Sequence, residues 1–573
     1  MLFFLILTVV CLLGIPLGKY LACIMQNQPM KSDVLFHWIE KPIYALLGTQ
    51  AKQGMNIKNY VLCFALSQLT LGLVVWLMLM FQAILPLNPD HAPNMSWDLA
   101  LHTMISFLTN TDQQHYSGQS QLSYLSQMVA IVGLQIISPM MGLAIVVATI
   151  RVLFTSAPQV KSDEQIEHDK KQTIHSLNIG NYWADIIRPT LRFFLPLCLL
   201  WSLLLSSQGV PATFNAGPEV KILDATAQVS TQKIPLGPVA PMVAVKQLGS
   251  NGGGWYGPNS AAALENPTQW SNVLELVAIL LIPITVIVML GFLTKRKKIA
   301  VFVFGTMLLM SVLSTILTLW SEAASMTSGL LSSMEGKEIR FAESGSALWA
   351  ALTTQVNNGS VNMMMDSSAP LTGLMSLMNM LINAIWGGIG CGLQQFIIYL
   401  ILAVFIAGLM TGRTPELLGR KIEAREIKLL SVVILLQPAI LLILTAIALS
   451  FPSLTGNSNP ASHGISQVFY EYVSAFANNG SGFEGLSDNS VWWNLSTSVT
   501  LLAGRYPTLI IPLLIAGYLA VKPQAPESQG SLQVETITFA FTLIAIVVML
   551  TLLQFMPVLV LGPVADHLML MAK

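Results

Sequence analysis

Val356-Asn357-Asn358-Gly359-Ser360-Val361 and, further along, Ala477-Asn478-Asn479-Gly480-Ser481-Gly482 are two versions of one phrase, in which a helical-looking stretch breaks into Asn, Gly and small polar side chains. Two more versions lie upstream. Trp97 to Leu108 breaks into Thr109-Asn110-Thr111-Asp112-Gln113-Gln114-His115-Tyr116-Ser117-Gly118, and another stretch ends in Gly249-Ser250-Asn251-Gly252-Gly253-Gly254-Trp255-Tyr256. A single Asn-Gly is ordinarily a turn. Here each follows a helix of about 12 residues, too short for a hydrocarbon core of about 30 Å, and each sits between apolar stretches that are long enough to cross one. Fourfold recurrence makes the unit a repeat: span, hairpin, span.

Working outward, the composition places the whole chain in a bilayer. Of 573 residues, 54% are apolar and 10% charged, against roughly 25% charged in soluble domains. Ten apolar windows appear, at approximately 2–18, 59–85, 123–150, 190–208, 272–294, 299–320, 371–412, 429–451, 491–521 and 535–561. The first lacks a basic leader and a small-residue cleavage site, so it is read as a retained span. The expected fold is an all-α polytopic membrane protein with ten transmembrane helices and four re-entrant hairpins. The 28 basic and 28 acidic residues balance, which leaves no basic footprint for nucleic acid. Cys11, Cys23, Cys63, Cys198 and Cys391 are scattered through apolar sequence without paired spacing, so neither a disulfide framework nor a zinc site is expected.

Charge placement orients the spans. The connections 19–58, 151–192, 295–298 and 413–428, together with Lys522, hold 21 of the 28 Lys and Arg. Retention of basic residues on the cytoplasmic side puts these loops inside and both termini outside. All four hairpins then open outward.

Non-helical backbone persists at membrane depth only where protein or a water path satisfies its N–H and C=O groups. Four hairpins on one face therefore imply a shared axis. Glycine allows close approach and φ > 0, which turns successive carbonyls toward that axis. A helix ending at the Asn also aims the negative end of its dipole there, favouring a cation. Carbonyl rings replace the hydration shell of a monovalent ion, whereas calcium or magnesium calls for carboxylates. Asp112 and Glu484 are the acids of these Asn-Gly segments. A dehydrated K+ is the expected ligand, with Asn110, Thr111, Asp112, Gln114, Ser250, Asn251, Gly252, Gly253, Asn357, Asn358, Gly359, Asn478, Asn479 and Gly480 as its candidate binding residues.

No Asp-Lys-Thr-Gly-Thr phosphorylation segment and no Gly-x-x-x-x-Gly-Lys-Ser/Thr loop occurs in the chain. It is therefore expected to carry no catalytic site and to bind no nucleotide. Uphill movement of a cation, at roughly 2.3 kcal/mol per charge per 100 mV, needs a coupled partner.

Several landmarks beyond the hairpins resemble one family. They include Pro86-Leu87-Asn88-Pro89, Ser96-Trp97-Asp98-Leu99-Ala100, Tyr116-Ser117-Gly118, Glu265-Asn266-Pro267-Thr268 and Met334-Glu335-Gly336-Lys337-Glu338. Val404-Phe405-Ile406-Ala407-Gly408-Leu409-Met410, Gly412-Arg413-Thr414-Pro415-Glu416, Gly504-Arg505 and Leu561-Gly562-Pro563-Val564-Ala565 complete the set. Over nearly its whole length the chain is similar to KdpA, the potassium-binding component of the bacterial Kdp potassium-transporting ATPase, of the potassium-channel-like superfamily. The resemblance implies one integral membrane domain: an extra span and loop at 1–58, repeats at 59–154, 186–296, 299–412 and 429–521, and an extra span and tail at 535–573. It also implies an inner-membrane location, high-affinity K+ uptake, and work alongside a P-type ATPase subunit (KdpB), KdpC, KdpF and membrane lipid. A stand-alone K+ channel or ion-coupled symporter subunit of the same superfamily is the alternative, and a membrane scaffold with vestigial loops is a third reading.

The chain departs from the family at its third hairpin, where Asn357-Asn358-Gly359 replaces the usual Ser-Cys-Gly, and at Met365, where a His is common. Gly387-Gly388-Ile389-Gly390-Cys391-Gly392 predicts a break inside the seventh span. Asn383 stands where the family carries Glu, a residue expected to guide the ion onward. The resemblance thus puts Asn383, Gly387, Gly388 and Arg505 on the path below the filter. A carboxylate about 4 Å from a cation is worth about 4 kcal/mol at an effective dielectric of 20, more than a dipole offers, so Asn383 predicts a weaker intermediate site.

Arg505, the one basic residue well inside a span, is either a positive barrier below the filter or a structural Arg bound to loop carbonyls. Glu275 is expected to snorkel to the interface. His115 is expected to be a packed or solvent-facing imidazole without a second titrating partner, and the 28 Met, including Met363-Met364-Met365, to be packing material. The segment 155–180 is read as a solvated cytoplasmic loop, with contact to the ATPase partner as the other possibility.

Overall fold

The computed structural model describes residues 1–154, 177–223, 230–327, 334–525 and 533–572. Most of the 155–180 loop lies outside the described residues, as does Lys573. Among the described residues, ten helices have the length and hydropathy to cross a membrane: Leu2–Met25, Ile57–Met80, Ser126–Leu153, Tyr182–Ser207, Gln269–Thr294, Lys297–Ala324, Cys391–Met410, Ala424–Ser450, Val491–Ala520 and Ile537–Met571.

Several boundaries differ from expectation, each for a local reason. The first helix runs past 18 to Met25 and carries Lys19 within it. The fourth begins at Tyr182, not 190, because Asn181 caps it by accepting a hydrogen bond from Ala184 N at 3.1 Å. Pro189, which has no N–H to give, is followed by a π turn over Thr190–Phe194. The stretch 371–412 is not one span. It divides into Pro370–Ile382 and Cys391–Met410, with Gly387 at φ 65° and Gly390 at φ 87° in the break between them. Two short antiparallel hairpins, Glu219–Lys221 with Thr231–Lys233 and Glu416–Leu417 with Arg420–Lys421, qualify the all-helical expectation.

Burial sorts the spans into an inner and an outer set. Gln269–Thr294 and Ser126–Leu153 are 83% and 78% buried over their most apolar windows, whereas Leu2–Met25 and Ala424–Ser450 are only 28% and 22% buried. The outer helices present apolar side chains outward, as lipid contact requires. Leu2–Met25 lies along Gln269–Thr294 through Gly14 and Gly18, a small-xxx-small pair. A Cβ on Gly18 would come within 2.7 Å of Val288 and 3.0 Å of the Thr285 carbonyl, so these backbones approach as closely as glycine permits.

At the ends joined by basic loops, Arg151 locks three helices together. Its guanidinium donates to both Asp185 oxygens (2.5 and 2.8 Å) and to the Met25 carbonyl (2.5 Å), and Tyr60 Oη donates to Asp185 as well (2.9 Å).

Candidate functional site: a ring of four loops

Four short helices, Trp97–Leu108, Val239–Leu248, Ala342–Val356 and Ala461–Ala477, each run into one of the Asn-Gly segments. All four end with the same backbone. Asn110, Ser250, Asn357 and Asn478 are left-handed, at φ 62°, 51°, 57° and 57°. The next residue's N–H returns to the carbonyl five positions back: Thr111 to Ser106, Asn251 to Lys246, Asn358 to Thr353 and Asn479 to Ser474, at 2.9–3.1 Å. This 6→1 bond satisfies a carbonyl that a helix end would otherwise orphan. One residue later φ is positive again, at Asp112 (59°), Gly252 (97°), Gly359 (80°) and Gly480 (104°).

The loops close on one another in the order second, third, fourth, first. A Cβ on Gly252 would meet the Asn358 carbonyl oxygen at 1.6 Å, one on Gly359 the Asn479 oxygen at 2.0 Å, and one on Gly480 the Thr111 oxygen at 2.2 Å. Only glycine permits that approach. Between first and second loops the closure is made by side chains: Asn251 Nδ2 donates to Asn110 Oδ1 (2.5 Å), Asn110 Nδ2 to the carbonyls of Gly249 and Ser250, and Gly253 N to Asp112 Oδ2 (3.3 Å). Asn358 Nδ2 reaches the Lys246 carbonyl (3.1 Å), Asn479 Nδ2 that of Thr353 (3.2 Å), and Asn478 Nδ2 the Thr111 hydroxyl (3.0 Å). Gln114 pairs with Gly254 in both directions, at 2.9 and 3.0 Å. The candidate binding residues of the four segments thus lie in one contiguous assembly. Among the described residues, buried oxygens of this assembly without a hydrogen-bond partner include Asp112 Oδ1, Gln113 Oε1, Asn251 Oδ1, Asn357 Oδ1 and Asn478 Oδ1.

Directly against this ring packs the break at 383–390. Asn357 Nδ2 donates to Asn383 Oδ1 (2.5 Å), and Asn383 Nδ2 to the Ala477 carbonyl (3.3 Å). Trp386 N and Gly387 N share the Gln355 carbonyl, and Ile389 N donates to Ser250 Oγ (3.0 Å). A Cβ built on Gly388 lies 3.6 Å from Ser250 Oγ and 3.7 Å from the Val356 carbonyl. On the far side, Arg505 is buried and donates from Nη1 to Cys391 Sγ at 2.7 Å, with Gly142 beside its Nη2. Among the described residues no carboxylate pairs with Arg505. Asn383 borders a cavity of about 10 Å³ lined by Gln395, Tyr399, Gln437, Thr508 and Gln554 and equally by the apolar Val433, Ile434, Phe476 and Leu550.

The structure corrects two readings of single residues. Glu275 does not snorkel; it is fully buried and accepts from Gln247 Nε2 and Ser260 Oγ, both at 2.7 Å. His115 does have titrating neighbours. It stacks on His102 at 3.7 Å, faces Glu471 at 3.3 Å and bonds Asn494 through Nδ1 (2.8 Å), and its ligand atoms, with those of Glu471 and Asp488, lie within 4.8 Å of one another. Glu484, in contrast, is drawn away from the ring and accepts from Asp366 N at 3.0 Å. Met363 and Met365 are buried in an apolar cluster, as packing material should be.

Sequence reasoning passed over Lys246. Aligning the loops by their left-handed residues puts it in the position of Ser106, Thr353 and Ser474, whose hydroxyls bond their own loops. Lys246 instead turns its fully buried ammonium to Glu265 and Ser260. The signal was available: a charged residue in a short apolar helix, one residue before the Gln247 that serves Glu275.

A model of the family described as "Potassium-transporting ATPase A subunit" matches residues 4–568. The chain is 41% identical over 565 residues to the potassium-transporting ATPase potassium-binding subunit of Gloeobacter violaceus, covering 96% of this chain and 94% of that one. To the subunit of the same name in Flavobacterium johnsoniae it is 40% identical, covering 98% and 97%. The solved structure of the potassium transporter TrkH from Vibrio parahaemolyticus aligns with a TM-score of 0.47 at 14% identity, over 89% of this chain and 97% of that one. The chain is a multi-pass membrane protein that belongs to the KdpA family, the A subunits of potassium-transporting ATPases.

Proposed function

We propose that the four loops form a selectivity filter that takes K+ from the extracytoplasmic side and passes it to a partner ATPase, where ATP is hydrolysed. The observation that carries this reading is the ring itself: four segments with one backbone signature, three of them joined by a glycine that receives the neighbouring loop's carbonyl and the fourth junction closed by Asn110, Asn251 and Asp112 side chains. Oxygens of Thr111, Asn251, Asn358 and Asn479 supply the strongly dipolar, carboxylate-poor cage suited to a dehydrated monovalent cation. The unpartnered oxygens support it, since buried acceptors without donors call for a cation or ordered water. In this reading the short helices are re-entrant, and the chain is four span-hairpin-span repeats with an extra span at each end. Basic loops lie in the cytoplasm and both termini outside the inner membrane.

Below the filter, the ion reaches Asn383 and leaves laterally past the side-chain amides of Gln395, Gln437 and Gln554, which share the walls of the small cavity there with Val433, Ile434 and Phe476, while the Arg505 charge discourages a straight descent. KdpB, with KdpC and KdpF, is the complex this route serves. The relatives' names, which place them as potassium-binding subunits of an ATPase, favour this over a stand-alone channel.

The test is K+-dependent ATPase activity of the purified complex carrying Gly252→Asp or Gly359→Asp. Each is expected to lower apparent K+ affinity by at least tenfold, or to lose discrimination against Na+. Wild-type affinity and selectivity in either variant would show the filter assignment to be wrong.

A further inference from the structure

Between the first two spans, the helix Asp33–Leu46 does not cross the membrane, and its two faces differ. Asp33, His37, Glu40 and Tyr44 fall on one side. Arg192 grips that side, donating to both Glu40 oxygens (2.5 and 2.8 Å) and to Asp33. Val34, Leu35, Trp38, Pro42 and Leu46 fall on the other, outside the protein core, with Trp38 69% and Leu46 88% exposed. A 14-residue helix with a Trp and branched apolar side chains on its outer face has the build of an in-plane interfacial helix.

Beside its gripped face is a cavity of about 660 Å³. Lys41, Lys52, His37, Tyr44, Arg188 and Arg192 contribute to its wall. The two acids present, Asp33 and Glu40, are engaged by Arg192. Arg188 Nε makes no hydrogen bond and lies 3.9 Å from Glu40 Oε2, and the buried Tyr44 hydroxyl is also without a partner. Among the described residues neither Lys41 nor Lys52 forms an ion pair. The cavity therefore holds unspent positive charge and idle donors, next to a helix whose outer face requires lipid.

We propose that this cavity binds the phosphodiester headgroup of an anionic glycerophospholipid, with Lys41, Lys52 and Arg188 as its charged contacts and the outer face of Asp33–Leu46 seated among the acyl chains. Charge complementarity and a neighbouring apolar anchor select an anionic lipid over a zwitterionic one. No part of this depends on the filter.

Native mass spectrometry of the full chain, titrated with phosphatidylglycerol and in parallel with phosphatidylcholine, tests the proposal, with inorganic phosphate as competitor. Preferential retention of phosphatidylglycerol is expected. Lys52→Gln and Arg188→Gln should each lower it about fivefold, the equivalent of about 1 kcal/mol per basic residue at a membrane surface. Trp38→Ser should weaken both lipids alike. If Arg188→Gln fails to fold, Lys52→Gln, on a connecting loop, decides. Equal retention of the two lipids, wild-type retention in Lys52→Gln, or displacement by inorganic phosphate would each overturn it. So would cover over Trp38 that appears only when the other subunits are added.

Discussion

Lys246 and Asn383 show how far single side chains near the ring set its properties. The Lys246 ammonium is wholly removed from water and paired with Glu265. Deleting one partner of such a pair strands a buried charge at a cost of about 3–5 kcal/mol. Lys246→Met should therefore lower the thermal midpoint of the purified chain markedly, and Glu265→Gln added to it should recover part of the loss. If Lys246→Met unfolds at the wild-type temperature, the pair is not holding the second loop. Asn383 packs against the ring, its amide accepting from Asn357 Nδ2 and donating to the Ala477 carbonyl, and on the proposed route it offers a passing ion a dipole in place of a charge. Asn383→Glu should raise the apparent K+ affinity of the complex by several-fold to tenfold, since a carboxylate attracts a nearby cation more strongly than an amide does. An unchanged K+ titration would place the ion's route elsewhere.

At the scale of elements, two contacts hold outer helices to the inner set. The Gly14 and Gly18 pair seats Leu2–Met25 on Gln269–Thr294. Gly18→Leu would drive a side chain into Val288, and overpacking of this kind costs about 1–3 kcal/mol. A lowered midpoint is expected, with Gly133→Leu as a mild control, because a Cβ at that position would meet open space. The second contact is a clasp in which His463, on the last short helix, bonds Asp566 through Nδ1 (2.7 Å) and Asp366 through Nε2 (3.0 Å). Hydrogen bonds to Asp366 and then Asp566 raise the His463 pKa to about 9. A raised pKa means that the clasp's contribution is complete below the ordinary histidine value of about 6.5 and is lost as pH climbs through about 9. After solvent screening that contribution is about 1 kcal/mol. Protease cleavage near the C-terminus should accelerate between pH 7 and 10 in the wild type, while His463→Asn should be fast throughout. A flat wild-type profile would contradict the clasp.

Across the whole molecule, the sequence disclosed what repeats and what is long. The hydropathy windows found the ten helices because spanning a bilayer needs a length that little else in a chain requires. Repetition of Asn and Gly located the four loops, since left-handed backbone at a helix end selects those residues. What escaped was pairing at a distance. Nothing local to Glu275 reveals that Ser260 and Gln247 wait for it, and nothing local to His115 places Glu471 beside it, 356 residues on. The break at 383–390 was legible in its glycines, but its docking against Ser250, Gln355 and Asn357 was not. Lys246 stands out in the sequence as a charge in a short apolar helix, but its equivalence to Ser106, Thr353 and Ser474 is a property of the folded loops alone.

If the four loops enclose one dehydrated cation, that ion can be seen. Replacing K+ with Tl+ in the purified complex and locating it by anomalous diffraction is the most direct measurement. A peak is predicted on the axis of the ring, within direct coordination distance of the carbonyl oxygens of Thr111, Asn251, Asn358 and Asn479, and weakened in Gly359→Asp. An empty ring, with the ion bound only elsewhere on the chain, would contradict it.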